Sequence, residues 1–153
     1  MSNSFISTYQ NELIACVDNA VIEDLSKMGD HTSKAIFPKG HTSKAQLVAK
    51  GEGVLAGVAF CEFVLQRHGQ GVSLSPVVAD GATFSEGALL FYLEGDTQTI
   101  LSLERLMLNA VQRMSGIASL TSKVQERIGH TNCKVLDTRK ATPNFRIAEK
   151  WAV

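Results

Sequence analysis

The chain has 153 residues, 44% of them hydrophobic and 20% charged, the balance of a globular protein long enough to bury a core. Lysine plus arginine equals aspartate plus glutamate at 15 each, which leaves no net charge and no long-range field to draw in nucleic acid or an anionic membrane. The opening MSNSFISTYQNELI is not a signal peptide, no apolar run reaches the roughly 20 residues of a membrane span, and a cytoplasmic location is expected.

In chain order, residues 5–25 place Tyr9, Leu13, Val17, Ala20, Val21 and Leu25 at helical spacing, so this segment is expected to be helical. SKMGDHTS (26–33) is a polar break. From Ala45 to about Leu93, the runs QLVA, GVLAGVAF, VSLSPVV and ALLFYLEG alternate with glycine, aspartate and serine. They predict strands joined by turns, with one short helix around Phe60–Arg67. The helical period returns at Thr97, in a stripe of Ile100, Leu103, Met107, Ala110, Val111 and Met114. Gly116 is expected to interrupt it before a second stripe of Ile117, Leu120, Val124 and Ile128. KVLD (134–137) predicts a strand, and PNFRIAEKWAV a helix with Pro143 near its first turn. Such a strand and helix would open an alternating β/α series, which normally continues, so the chain is expected to stop inside a domain.

Three cysteines, Cys16, Cys61 and Cys133, lack metal-ligand spacing and read as reduced, buried thiols. The pentapeptide HTSKA occurs twice, at 31–35 and 41–45, and places His31 and His41 in polar loops with little prospect of holding a metal. His68 and His130 read as loop residues without partners. KGEGVLAG (50–57) lacks the spacing of a phosphate-binding loop and reads as a hairpin turn opening a strand; Lys50 beside that turn raises the alternative of a biotinyl or lipoyl carrier module over residues 31–95. Arg105 points away from the apolar stripe of its helix, toward solvent or another molecule. Thr138, Arg139 and Lys140 directly follow the KVLD run. Ligands of parallel α/β folds sit at strand C-termini, and an adjacent arginine and lysine make a natural carboxylate or phosphate clamp. The competing reading is a surface pair neutralised by Asp137 and Glu149.

LDTRKATPNFRIAEKWAV (136–153) resembles the DTRKTTPGLR…EKYAV motif of the quinolinate phosphoribosyltransferases, also called nicotinate-nucleotide pyrophosphorylases. Upstream, IEDLSKMGDHTS is similar to that family's EDLG-x-GD-x-TS, and LVAKGEGVLAG to its VAR-x-x-GVLAG. VVADGATFSEGALL resembles DG-x-x-V-x-x-G-x-x-L, and SLERLMLNAVQRMSGIASLT resembles ER-x-x-LN…LSGIAT. The matches run in order along nearly the whole chain.

The resemblance implies an α/β fold: an N-terminal α+β sandwich-like domain with a small open sheet (1–98), then a helical region and the first unit of an incomplete α/β barrel (99–153). It implies formation of nicotinate mononucleotide from quinolinate and phosphoribosyl pyrophosphate, with release of CO2 and pyrophosphate and assistance from Mg2+. Arg139, Lys140 and Thr138 would bind the pyridine dicarboxylate, with Arg139 and Lys140 also catalytic. Arg105 would reach the neighbouring subunit's site in a homodimer or larger homo-oligomer. Family members continue past this point, where the metal-binding acids would lie. The chain is therefore read as an N-terminal portion, inactive by itself. Ala141 and Asn144 replace the family's second threonine and its glycine. A related phosphoribosyltransferase-like protein associated with molybdate transport shares the DTRK region and leaves another substrate open.

Overall fold

The computed structural model of the protein describes residues 2–26 and 28–153. Two helices come first, α1 (Ser2–Thr8) and α2 (Gln10–Leu25), where one was expected over 5–25. The break expected over 26–33 is cut short by a helix that starts at His31, and Lys27 within it lies outside the described residues. α2 buries Leu13, Cys16 and Val17, the i, i+3, i+4 face that the sequence period marks.

The two copies of HTSKA fold differently. The first forms α3 (His31–Ile36), because Asp30 caps it: the Ser33 amide donates to Asp30 Oδ1 at 3.0 Å. The second follows a turn at Gly40 (φ +79°) and enters strand β1 (Thr42–Val48). His31 and His41 are therefore not loop residues of one kind, as the sequence suggested. His31 opens a helix, and His41 leads into a strand with Nδ1 2.8 Å from Thr97 Oγ1. What precedes the pentapeptide decides its conformation.

β1 pairs antiparallel with β5 (Leu89–Asp96), and β5 pairs with β3 (Val72–Pro76), giving a three-stranded sheet in the order β1-β5-β3. A second, two-stranded sheet joins β2 (Gly53–Val54) to β4 (Thr83–Phe84). Lys50 therefore lies between strands of two different sheets. The hairpin expected at KGEG does not form, because the partner of β1 is β5, and the display geometry imagined for a carrier lysine goes with it.

Helix α4 (Val58–His68) is the centre of the core, with Val58 to Cys61 and Phe63 to Leu65 buried and Phe60 fully so. Its first amides have no partner within the helix. Asp80 supplies one from 22 residues away, accepting from Val58 N at 2.9 Å and Ala59 N at 3.0 Å. The DG turn seen in the sequence thus serves as a remote cap.

β5 runs directly into α5 (Thr97–Ile128). Gly95 at the junction has φ +148°, and a Cβ there would lie 2.0 Å from the Gly71 carbonyl oxygen, so only glycine fits. Asp96 caps α5 through the Thr99 amide at 2.8 Å. The predicted stripe Ile100, Leu103, Met107, Ala110, Val111 and Met114 is buried throughout. Gly116 does not interrupt the helix, contrary to expectation. A mid-helix glycine costs only about 1 kcal/mol, and both flanks are anchored. Ser115 Oγ accepts from Ala56 N at 3.0 Å, and Ser119 Oγ accepts from Val54 N at 2.8 Å, which satisfies the edge of β2. Beyond Gly116 the second stripe is only partly used: Ile117 packs on the core, while Leu120 and Val124 are exposed. Among the described residues no helix is long and apolar enough to cross a membrane.

Replacing Asp80 by alanine removes both partners of the α4 amides. Urea unfolding should show a loss of about 1–2 kcal/mol with an unchanged denaturant slope, and no loss would mean that water caps α4 equally well.

Candidate functional site

After α5 the chain turns at Gly129 and runs through residues 133–145 into the short helix α6 (Arg146–Trp151). KVLD is not a strand here, and Leu136 is 82% exposed. No strand lies beside it among the described residues. Without a ladder partner the segment is held by a side chain instead, the Val135 amide donating to Gln125 Oε1 of α5 at 3.1 Å. The helix expected over PNFRIAEKWAV begins only at Arg146, because Thr142 to Phe145 form a turn in which the Phe145 amide donates to the Thr142 carbonyl at 3.2 Å.

Two residues of α6 hold the two sides of this cationic loop. Lys150 Nζ lies 3.0 Å from Asp137 Oδ2, on the entering side. On the returning side, Glu149 Oε2 accepts from the Thr142 amide at 2.9 Å, and Oε1 accepts from the Thr142 hydroxyl at 2.8 Å. Arg113 of α5 completes the cluster, donating from Nε to Glu149 Oε1 at 2.5 Å and from Nη2 to Thr142 Oγ1 at 2.7 Å. Glu149 is a buried carboxylate. Burial pushes its pKa up, but the Thr142 amide and hydroxyl and the Arg113 guanidinium together outweigh that, holding it below the ordinary glutamate range.

Asn144, where the family has glycine, takes the left-handed conformation (φ +63°). Its side chain also gains contacts that glycine lacks: Nδ2 donates to the Cys16 carbonyl at 3.2 Å, and Oδ1 accepts from Asn19 Nδ2 at 3.1 Å. The turn is thereby tied to α2.

Thr138, Arg139, Lys140 and Ala141 lie between these anchors, the first three exposed. The Lys140 amide donates to Thr138 Oγ1 at 3.2 Å, which folds the loop on itself. Asp137 and Glu149, the two acids that could have neutralised the pair, are engaged by Lys150 and Arg113 instead. Among the described residues nothing bonds or ion-pairs with the side chains of Arg139 and Lys140. Two adjacent cations are thus presented without a counter-charge.

Arg105 is exposed on α5, as the helical wheel indicates, and Nη1 is 2.5 Å from Asp24 Oδ1. It borders a cleft of about 530 Å³ between α5 and the α3 region, lined also by Asp30, His31, Ser33, Phe37 and Leu101. No hydrogen bond or ion pair links Arg105 to the cationic loop among the described residues. It sits eight residues, about 12 Å along the helix, from Arg113. The structure therefore brings Thr138, Arg139 and Lys140 together and leaves Arg105 apart from them.

Sequence reasoning missed Arg113. Its one signal was position: three residues after Ala110 and four before Ile117, it flanks the buried stripe and so can reach what packs beside it. His68 was also misjudged. It ends α4, with Nε2 2.8 Å from Asp18 Oδ1, beside a two-point Arg67–Asp18 pair at 2.9 and 2.6 Å. His130 lies in the exposed turn after α5. Burial pushes the Cys16 thiol up to about 11 and raises Cys61 as well. Cys133, expected to be buried, is exposed. No group of three or more His, Cys, Asp or Glu among the described residues is placed to hold a metal ion.

Comparison with known proteins gives consistent results. Residues 30–115 match the model of the quinolinate phosphoribosyl transferase N-terminal domain, and residues 117–153 match that of the C-terminal domain. The two matches meet inside α5. A quinolinate phosphoribosyltransferase [decarboxylating] of Nicotiana glauca is 34% identical over 142 residues, which are 93% of this chain and 40% of that protein. A probable nicotinate-nucleotide pyrophosphorylase [carboxylating] of Bacillus subtilis is also 34% identical, over 93% of this chain and 48% of its own. Among solved structures, NadC from Streptococcus pyogenes superposes with a TM-score of 0.82 at 34% identity, covering 96% of this chain and 50% of that one. The nicotinate-nucleotide pyrophosphorylase of Francisella tularensis gives 0.81 at 30%, over 93% and 50%. The chain thus spans half the length, or less, of these relatives. It has an α/β fold like theirs and belongs to the quinolinate phosphoribosyltransferase family.

Proposed function

We propose that this chain supplies the dicarboxylate-binding part of an enzyme that converts quinolinate and phosphoribosyl pyrophosphate to nicotinate mononucleotide, CO2 and pyrophosphate in NAD biosynthesis. One observation carries the reading: Arg139 and Lys140 stand side by side with their neighbouring acids already engaged. A pair of this kind matches a substrate with two adjacent carboxylates, one met by a planar guanidinium fork and one by a compact ammonium.

In this reading the pyridine nitrogen attacks the anomeric ribose carbon. The bond to pyrophosphate breaks, and pyrophosphate leaves with the electron pair. The carboxylate next to the ring nitrogen then departs as CO2, and the carbon it leaves takes up a proton. Arg139 and Lys140, with Thr138 beside them on the same carboxylates, hold the ring in place, and the two cations stabilise negative charge as that carboxylate departs. No side-chain nucleophile is needed. Mg2+ belongs to this reading of the whole enzyme, but the described residues bring together no cluster of acids that would hold it, so no step here is assigned to it and the roles of Arg139 and Lys140 stand without it.

Arg105 serves a neighbouring subunit's site in a homodimer or higher homo-oligomer. Leu101 and Leu108, both exposed, flank it on the same face of α5 and provide apolar surface for such a contact. Its pair with Asp24 is a surface pair, worth about 0–1 kcal/mol, so releasing Arg105 to an anion costs little.

The test is quinolinate-dependent pyrophosphate release, measured on this chain joined to the remaining portion of the Bacillus subtilis relative. Turnover is expected, and a joined chain that folds but ignores quinolinate would overturn the substrate. In the same assay Arg139→Ala should lower kcat/KM about thirtyfold or more, corresponding to about 2–5 kcal/mol for a carboxylate left without its partner. Arg105→Ala should be impaired similarly, and mixing Arg105→Ala with Arg139→Ala joined chains should restore part of the lost activity through mixed oligomers. Absence of any rescue would mean that both residues serve one chain's own site.

A further inference from the structure

Glu149 and Lys150 are adjacent on α6, yet they engage opposite sides of one loop. Lys150 takes Asp137, immediately before Thr138, and Glu149 takes Thr142, two residues after Lys140. The four residues between carry both cations. We propose that Glu149 and Lys150 form a two-point clamp that positions Arg139 and Lys140, with Arg113 of α5 fixing the clamp to the core. The role of positioning a dicarboxylate clamp rests on the substrate reading above; the clamp itself does not.

Glu149 sees every polar contact it needs. Arg113 meets it from α5, and the Thr142 amide and hydroxyl meet it from the loop. Lys150, beside it on α6, is engaged by Asp137. α2, on the other side of the turn, contributes Asn19 and the Cys16 carbonyl through Asn144. Thr142 is equally committed: its hydroxyl donates to Glu149 and accepts from Arg113, and its amide donates to Glu149. A neutral amide in place of the Glu149 carboxylate offers one acceptor where two are used, and it turns an NH2 group toward a donor. The returning side of the loop should then detach, while α5 and the sheet, which do not depend on Glu149, should stay intact. The clamp also keeps Glu149 and Asp137 away from Arg139 and Lys140, so it preserves the charge of the pair as well as its place.

Site-resolved hydrogen exchange on the 153-residue chain tests this. In the unaltered chain the Thr142 amide should be protected. In Glu149→Gln and Thr142→Val its protection should fall at least tenfold, with the amides of α5 and the three-stranded sheet unchanged. Thr142→Ser, which keeps the hydroxyl, should retain protection. A second readout is the pH profile. Because the carboxyl of Glu149 is held below the ordinary glutamate value, Thr142 protection, corrected for intrinsic rates, should be full above that value and lost as pH falls through the lowered one. In Glu149→Gln the profile should be flat. Unchanged protection in Glu149→Gln would overturn the proposal, as would equal loss across α5 and the sheet, which would make Glu149 a support of the whole fold. Failure of quinolinate turnover in the joined chain would remove the substrate and leave the exchange result to decide the clamp.

Discussion

A buried carboxylate must replace its lost water with hydrogen bonds and a cation, and the candidate site is arranged around meeting that requirement for Glu149. Arg113 supplies the charge from α5, and Thr142 supplies an amide and a hydroxyl from the loop. The consequence reaches beyond the carboxylate. The acid closest in sequence to Arg139 and Lys140 on the helical side is withdrawn from them, and Lys150 withdraws Asp137 in the same way. A chain of zero net charge can thereby present concentrated positive charge at one place without a basic overall composition.

That arrangement needs a fixed partner for the loop, and α5 is that partner. One face of the helix carries the stripe from Ile100 to Met114 into the core beside α4, and Arg113 on its flank holds Glu149. Ser119 bonds Val54 at the edge of β2 and Ser115, a turn earlier, bonds Ala56 just beyond it, so the helix that β5 runs into also fixes the second sheet and the loop. Its start is fixed by the Asp96 cap and by a glycine-only junction at Gly95, its middle by packing, and its continuation past Gly116 by the two serines. Any loosening of α5 would be felt at the cationic loop.

Much of this was legible in the sequence, and the exceptions have physical causes. The stripe on α5 could be read because a buried helix face repeats with the helical period, and each predicted position is buried. The cations of DTRK could be picked out as candidates, but spacing alone weighed a clamp and a neutralised surface pair equally, and the family resemblance favoured the clamp. The strand at KVLD was misread because β-propensity only describes a surface suited to pairing, and the pairing partner is not visible in the run itself. His31 was misread as a loop residue because Asp30 caps its copy of HTSKA into a helix, whereas His41 does lie in the loop that leads into β1. Arg113 was missed because its partners, Thr142 and Glu149, lie 29 and 36 residues away, and no local pattern announces such a contact. The candidate cations were visible in the sequence, whereas the groups that hold their loop were not.

The most direct measurement is a crystal structure, with quinolinate bound, of this chain joined to the remainder of a relative. The account predicts the two carboxylates on Arg139 and Lys140, with Glu149 still bonded to Thr142 and Arg113, and Lys150 still on Asp137. Quinolinate seated away from the cationic loop would contradict the account. So would Glu149 or Asp137 turned onto Arg139 or Lys140, because the absence of those counter-charges is the feature on which the site depends.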